Sequence, residues 1–248
     1  MTQIIKNNLK YLIFLAICGL IGGYFTAIYM VQILPTDYLQ EISNEVPFIE
    51  LVYIVSAIQY ALYSVVLGIL GKYLSQKIGI WRKLEFSKAI ILKCIIASVI
   101  GGLLLIGSDV FIFNALSDTV KATYDVKPTI ENFIASIVSG GVIEEIMLRL
   151  FSMSLIGYII HKLSKKEIDN KTLVFANIIA AVLFSALHIP STAILLGITP
   201  VTLIRGFLLN GSLGLLFGRF YRKHGIQYAM ITHAGVHIVC KLVWLLFV

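Results

Sequence analysis

Apolar runs long enough to cross a lipid bilayer recur along the whole chain, separated by short polar segments. A helix needs roughly 20 apolar residues to cross the hydrocarbon core of a bilayer. Runs close to this length predict helices over 11–34, 48–74, 89–116, 130–161, 172–189, 201–220 and 226–248. The pattern therefore predicts an all-α fold, a polytopic transmembrane helical bundle.

The fourth run leaves the helix number at seven or eight. It is longer than one crossing requires, and Gly140 and Gly141 stand in its middle. Glycine pairs are sites where helices kink. The run therefore forms either one tilted, kinked helix or a short helix followed by a second one.

Composition excludes a soluble domain. The chain of 248 residues is 58% hydrophobic and 13% charged, whereas soluble domains carry roughly 25% charged residues. We therefore expect 1–248 to form a single membrane domain, with N-terminal helices of unassigned role over 1–128. The first run is too long for a signal-peptide core, so we interpret it as a retained helix. Nothing in the sequence specifies an oligomeric state.

The net charge of +7 is concentrated in alternate loops. The basic residues of these loops are Lys6, Lys10, Lys77, Arg82, Lys83, Lys88, Lys162, Lys165, Lys166, Lys171, Arg219, Arg222 and Lys223. Cytoplasmic loops of membrane proteins carry such an excess of Lys and Arg. The distribution predicts a multi-pass protein of the cell membrane with a cytoplasmic N-terminus. Its basic balance reflects the lipid bilayer, and no nucleic-acid partner is expected.

Three charges lie in the middle of the fourth apolar run, after Gly140 and Gly141. Charged groups at membrane depth are costly, so each needs a partner or a function. Glu145 and Arg149 are four residues apart and therefore neighbours on one helical face, while Glu144 lies about 100° round the axis. One carboxylate is thus paired and the other is free for general acid–base work. The alternative is a structural triad that joins helices.

Three histidines occur in later apolar runs. His188 ends the fifth run, and His233 and His237 are four residues apart, so both imidazoles project from one face. That spacing either chelates a metal or presents two hydrogen-bond donors to one point. Considered with the free carboxylate, this set favours hydrolytic chemistry over packing. Other polar groups in the runs, which either line a cavity or bond a neighbouring helix, are Asp109, Asn177, Arg205 and Asn210.

Three ordered motifs carry a resemblance to a known family. They are Glu-Glu-x-x-x-Arg at 144–149, Phe-x-x-x-His at 184–188 and His-x-x-x-His at 233–237. In this order on successive helices they resemble the CPBP family of intramembrane glutamic endopeptidases, the CAAX-protease and bacteriocin-processing group, also called Abi, related to the Rce-type prenyl-protein endopeptidases. The resemblance begins near residue 130, so 129–248 is the expected catalytic core.

The resemblance implies a role for each motif residue. Glu144 and His188 activate a water, His233 and His237 stabilise the oxyanion, and Glu145 with Arg149 supports the site. The family pattern usually has asparagine at the position of His237, and a neutral imidazole still donates one hydrogen bond. The implied mechanism needs no cofactor. The alternative is a zinc site whose ligands are Glu144, His188, His233 and His237.

The implied function is an intramembrane endopeptidase acting on a membrane-associated or lipophilic peptide. The resemblance implies peptide processing or bacteriocin immunity. The alternatives are a non-catalytic immunity or scaffold protein and a transporter with a proton-linked Glu/His relay. One geometric requirement follows from the predicted helices: His188 lies near the outer end of one and His233 nearer the cytoplasmic end of another. A tilt, a kink or a re-entrant segment in 190–200 must bring them together.

Overall fold

The computed structural model describes the backbone of residues 2–248 and the side chains of residues 9–248. Lys6, part of the predicted N-terminal charge, therefore lies outside the described side chains. The described chain is helical without strands, which confirms the all-α prediction. Its helices are α1 (Thr2–Ile33), α2 (Thr36–Glu45), α3 (Glu50–Lys77), α4 (Lys88–Leu116), α5 (Asp118–Thr123), α6 (130–164), α7 (Asn170–Leu187), α8 (Ile189–Leu195), α9 (Pro200–His224) and α10 (Ile226–Phe247).

Seven of these helices are long, and they match the seven predicted runs. Six segments are long and apolar enough to cross a membrane: α1, α3, α4, the pair α7 and α8 as one span, α9, and α10. The seventh, α6, carries Glu144, Glu145 and Arg149 and is continuous through Gly140 and Gly141. The fourth run is therefore one helix, and the chain is a multi-pass membrane protein. The short helices α2, α5 and α8 lie in connections that hydropathy left unassigned.

Helix α6 has an unusual hydrogen-bond register. It is α-helical over Ile130–Ala135 and Ser154–Ser164 but π-helical over Ser136–Glu144 and Ile146–Met153. A π turn contains one more residue than an α turn and is often found at functional sites. At Gly141 an added Cβ would lie 2.6 Å from the Cβ of Ala234. The glycine therefore lets the backbone of α10 approach α6, where an ordinary side chain would separate the two helices.

Helix α6 lies at the centre of the bundle. It packs against α1, α3, α7, α9 and α10, and its buried Leu150 and Met153 belong to the main apolar core. Helix α10 also runs beside α4 in the same direction: the Ser98 hydroxyl donates to the carbonyl of Thr232 over 3.1 Å, and further along both helices Gly102 lies against Val239. The two helices that carry the predicted motifs at 144–149 and 233–237 are thus fixed against each other and against the N-terminal helices.

A polar clamp joins α4 to α9 at the end of the bundle opposite the basic loops. Arg205 donates two hydrogen bonds to the buried carboxylate of Asp109, over 2.7 and 2.5 Å. The Tyr124 hydroxyl donates to the same carboxylate over 2.6 Å. Burial, and then the Asp109 carboxylate, raise the pKa of Tyr124 well above its usual value, so the phenol keeps the proton that it donates. These groups serve helix packing.

The contact between α3 and α6 predicts a sharp difference between two glycines. A Cβ at Gly71 would lie 2.7 Å from the backbone of Leu150, whereas a Cβ at Gly206 would meet nothing within 4 Å. Overpacking of this kind destabilises by about 1–3 kcal/mol. Gly71→Ala should therefore lower the thermal unfolding midpoint in detergent, and Gly206→Ala should keep or slightly raise it. Equal midpoints for the two variants would contradict the described packing.

Candidate active site

A cavity of about 610 Å³ opens inside the bundle beside the middle of α6. Its wall contains all four predicted catalytic residues: Glu144, His188, His233 and His237. Most of the remaining lining is apolar or aromatic, and it comes from α1, α3, α4 and each helix from α6 to α10. The three motifs, far apart in sequence, thus meet at one cavity.

The two adjacent glutamates occupy different environments. The side chain of Glu144 is 30% exposed, to the cavity that it lines, whereas that of Glu145 is fully buried. Glu145 Oε2 lies 3.5 Å from Arg149 Nε. The sequence predicted both the pairing of Glu145 with Arg149 and the separate orientation of Glu144, and the geometry agrees with both.

Arg149 is fully buried between two aromatic rings. Its guanidinium carbon lies 4.9 Å from the centre of the Phe184 ring and 5.8 Å from that of Phe217. Within the described residues its nitrogens have no hydrogen-bond partner, so Glu145 and the electron-rich ring faces balance its charge. Phe184 is the phenylalanine of the Phe-x-x-x-His motif, and its contact with the Arg149 guanidinium gives a physical reason for an aromatic residue at this position.

His233 connects the two glutamates. Its Nδ1 lies 2.9 Å from Glu145 Oε1, and its Nε2 lies 4.0 Å from Glu144 Oε2. A carboxylate in an ion pair with an arginine only accepts hydrogen bonds, so Nδ1 is the donor in this contact. The ring stacks on Phe217 at 4.1 Å. Its orientation is therefore fixed from two sides, with Nε2 directed toward Glu144. The sequence did not predict the contact with Glu145.

His237 lies one turn further along α10, on the same face. Its ring stacks on that of His233 at 4.9 Å with 25° between the planes. A Cβ at Gly140 would lie 2.7 Å from His237 Nε2 and 3.8 Å from His233 Nε2. Gly140 therefore leaves the space into which both imidazoles fit, which sequence reasoning interpreted only as a kink.

His188 stands at the junction of α7 and α8. Its Nδ1 lies 2.8 Å from the carbonyl oxygen of Phe184, which can only accept, so Nδ1 carries the hydrogen. The Phe184 ring lies 4.9 Å from the His188 ring and 5.8 Å from that of His233. One aromatic ring thus lies against both histidines and links α7 to α10. Within the described part of the chain, no hydrogen bond or ion pair joins His188 directly to Glu144.

The segment 190–200, expected to help close the site, forms the short helix α8 and a following turn. Pro190, Ser191 and Leu195 line the cavity. The Ser191 and Thr192 hydroxyls donate to the carbonyl of His188 over 3.0 and 2.8 Å, which fixes the start of α8. The segment therefore completes the cavity wall next to His188.

The N-terminal helices contribute residues that the sequence analysis did not assign. Tyr29 of α1 and Tyr60 and Tyr63 of α3 line the cavity. Tyr60 shares this lining with Ser139 and Glu144 of α6. Tyrosines in apolar helices look like interfacial belt residues, so hydropathy carries no signal for this role.

The described residues do not form a metal site as they are arranged. Zinc ligands lie about 2.0–2.2 Å from the ion in a tetrahedron. Among the histidine, cysteine, aspartate and glutamate side chains of the described chain, no group of three or more is placed to hold a metal. We therefore derive no step through zinc.

The buried ion pair predicts a large loss of stability from a single change. Arg149→Met would leave Glu145 as a buried carboxylate without its cation, which destabilises by about 3–5 kcal/mol. Arg149→Met combined with Glu145→Gln removes both charges and should recover a substantial part of this loss. The free energy of unfolding, measured by denaturant titration in mixed micelles, tests both variants. A double variant less stable than Arg149→Met would contradict the pairing.

The cavity lies within a segment that a comparison with known families identifies. Residues 127–239 match the family described as type II CAAX prenyl endopeptidase Rce1-like. This segment contains all three motifs, from Glu144 to His237. No curated protein and no solved structure matches the chain. The motifs, their convergence on one cavity and the family match lead to one conclusion: residues 127–239 of this multi-pass membrane protein are similar to the Rce1-like type II CAAX prenyl endopeptidase family.

Proposed function

We propose that the protein is an intramembrane endopeptidase that hydrolyses a peptide bond of a membrane-associated or lipophilic peptide. A single observation carries the proposal: a partly exposed carboxylate and three histidines line one cavity among apolar helices. Apolar side chains form most of the cavity wall, so charges there act in a lower dielectric than in bulk water. The enclosing helices make a bilayer-embedded substrate the natural partner. The family match supports protease activity.

The first step is activation of a water by Glu144 and His188. The proposed water lies between the two side chains, which have no direct contact with each other. Glu144 takes a proton from this water as its oxygen bonds to the scissile carbonyl carbon, and the π electrons of the carbonyl move to its oxygen. His188 Nδ1 carries the hydrogen that binds Phe184, so in the neutral ring Nε2 accepts the second hydrogen of the water and orients it.

The second requirement is stabilisation of the oxyanion, which we assign to His233 and His237. With Nδ1 of His233 bound to Glu145, only the imidazolium form presents a proton on Nε2. Preorganised donors in a dry site stabilise such an oxyanion strongly, and the loss of one reduces the rate by about a hundredfold to a thousandfold.

The reaction ends with cleavage of the carbon–nitrogen bond. The electron pair of the oxyanion re-forms the carbonyl, and the amine departs with the proton that Glu144 received from the water. The products are a new carboxyl end and a new amino end, and Glu144 returns to the carboxylate. No metal or other cofactor takes part in this proposal. Glu145 and Arg149 orient His233 and do not touch the reacting atoms.

We place the protein in the cell membrane with its N-terminus in the cytoplasm, on the distribution of its basic loops. In this orientation the basic end of the bundle faces the cytoplasm. Peptide maturation and bacteriocin immunity are the physiological roles that the resemblance to the CPBP family supports.

Replacing Glu144 tests the proposal directly. Glu144→Gln should lower cleavage of lipidated and hydrophobic peptides by about a hundredfold to ten-thousandfold, because general-base catalysis contributes about that much. Excess chelator should leave wild-type cleavage unchanged. Product formation is measured by mass spectrometry in detergent or vesicles. Glu41→Gln, the same change on the exposed helix α2, is the matched control and should retain full activity.

Two results would overturn this assignment. Cleavage that is lost on chelation and restored by zinc would favour the zinc-dependent alternative with the same glutamate and histidines. A Glu144→Gln protein that keeps a cellular immunity phenotype would favour a non-catalytic scaffold.

The contact between Gly140 and His237 predicts a further kinetic effect. An alanine at position 140 would push the imidazole from its place, and a misplacement of about 1 Å can reduce catalysis by about a hundredfold. Gly140→Ala should therefore reduce kcat while leaving KM almost unchanged. Gly206→Ala serves as the control. An unchanged kcat in Gly140→Ala would argue against a role for His237 in the transition state.

A further inference from the structure

A second cavity, of about 600 Å³, lies at the basic end of the bundle. It is formed between the non-helical linker 78–87 and the turn that joins α9 to α10. Its lining includes Trp81, Arg82, Lys83, Lys223 and His224. The linker lies outside the residues that match the endopeptidase family, and the proposed reaction uses none of this lining.

The walls of this basic pocket are held in place by buried side chains of α10. Gln227 donates to the carbonyls of Lys83 and Glu85 over 3.3 and 3.1 Å. The Tyr228 hydroxyl donates to the carbonyl of Glu85 over 2.9 Å and accepts from the backbone N–H of Ser87 over 2.7 Å. These contacts tie the linker to the start of α10, so Arg82 and Lys83 project from a fixed backbone.

The charge of the pocket is strongly unbalanced. Arg82, Lys83 and Lys223 line it together with one acidic residue, Glu85. Four cations lie within electrostatic range of the His224 ring: Lys93, Arg82, Lys223 and Arg219. Like charges held this close repel each other. An anion with several acceptor oxygens relieves that repulsion and matches the donors of arginine and lysine.

The surroundings of the pocket place it where lipid headgroups lie. Trp81 packs edge-on against Tyr11, with ring centres 6.4 Å apart, and tryptophan and tyrosine prefer the membrane interface. Phe86, in the pocket lining, is 64% exposed, and neighbouring Leu84 is 59% exposed. The site therefore offers cations for a phosphate beside apolar side chains for an acyl chain.

We propose that this basic pocket binds the phosphate group of an anionic glycerophospholipid. Arg82, Lys83 and Lys223 hold the phosphate, and Phe86 and Leu84 contact the hydrocarbon. Basic pockets between transmembrane helices bind such headgroups through these interactions. Free inorganic phosphate offers the same oxygens without the chain, and the experiment below separates the two sources.

Trp81 provides the measurement. The chain has two tryptophans, so a Trp244→Phe background leaves Trp81 as the single fluorophore. This protein is placed in phosphatidylcholine vesicles that contain a rising fraction of brominated phosphatidylglycerol or of brominated phosphatidylcholine. Bromine on the acyl chain quenches nearby tryptophan, so preferential binding of the anionic lipid appears as stronger quenching at a low fraction.

Two triple variants test whether the preferential quenching of Trp81 by the anionic lipid depends on the cations of the basic pocket. Each cation near a headgroup contributes about fivefold in affinity for an anionic lipid. The combination Arg82→Gln, Lys83→Gln and Lys223→Gln should therefore lower the affinity for phosphatidylglycerol about a hundredfold. Quenching by brominated phosphatidylglycerol should then fall to the level seen with brominated phosphatidylcholine. The combination Lys165→Gln, Lys166→Gln and Lys171→Gln removes three exposed charges from the same end of the bundle, away from the pocket. It should leave the quenching curve unchanged.

Each outcome decides the proposal. Selective quenching that only the pocket variant abolishes supports a lipid site. Equal quenching by both brominated lipids, or equal loss in both triple variants, overturns it. If millimolar inorganic phosphate reverses quenching by phosphatidylglycerol, the pocket recognises phosphate without the chain, and the lipid assignment is wrong.

Discussion

A buried arginine joins the C-terminal helices through one carboxylate and two aromatic rings. Arg149 and Glu145 are completely buried, and removing two ions from water carries a penalty of several kcal/mol for each. The ion pair, the ring faces of Phe184 and Phe217, and the hydrogen bond from His233 to Glu145 together offset this penalty. An apolar pair of the same volume would avoid this desolvation penalty. The network is therefore better explained by the side chains that it orients.

The network orients the side of α10 that faces Glu144. Glu145 fixes the His233 ring, and stacking then positions His237. Phe184 touches Arg149, His188 and His233, so the same ring that covers the cation also aligns two histidines. The π-helical part of α6 brings Gly140 and Gly141 against α10 without a sharp break. The proposed chemistry depends on this close approach, because any side chain at Gly140 would occupy the place of the imidazoles.

Hydropathy and helical spacing predicted the seven long helices, the Glu145–Arg149 pair and the shared face of His233 and His237, because these properties are local. The π-helical register of α6 leaves no trace in hydropathy, since apolar residues cover both registers equally well. The Glu145–His233 bond joins residues 88 positions apart and depends on how α6 and α10 pack. Tyr60 was missed for the same reason: its neighbours Ser139 and Glu144 belong to another helix. The proximity of His188 and His233 depends on how α7 and α10 pack, and both rings lie against Phe184.

The two glutamates have distinct roles in this account, so the most direct measurement compares them. Glu144→Gln and Glu145→Gln are each assayed for thermal unfolding in detergent and for peptide cleavage well below their unfolding midpoints. Glu144→Gln should unfold like the wild type and lose cleavage by about a hundredfold or more. Glu145→Gln should unfold at a clearly lower temperature, because Arg149 loses its carboxylate. A Glu145→Gln protein as stable as the wild type, or a Glu144→Gln protein that still cleaves, would contradict this division of roles.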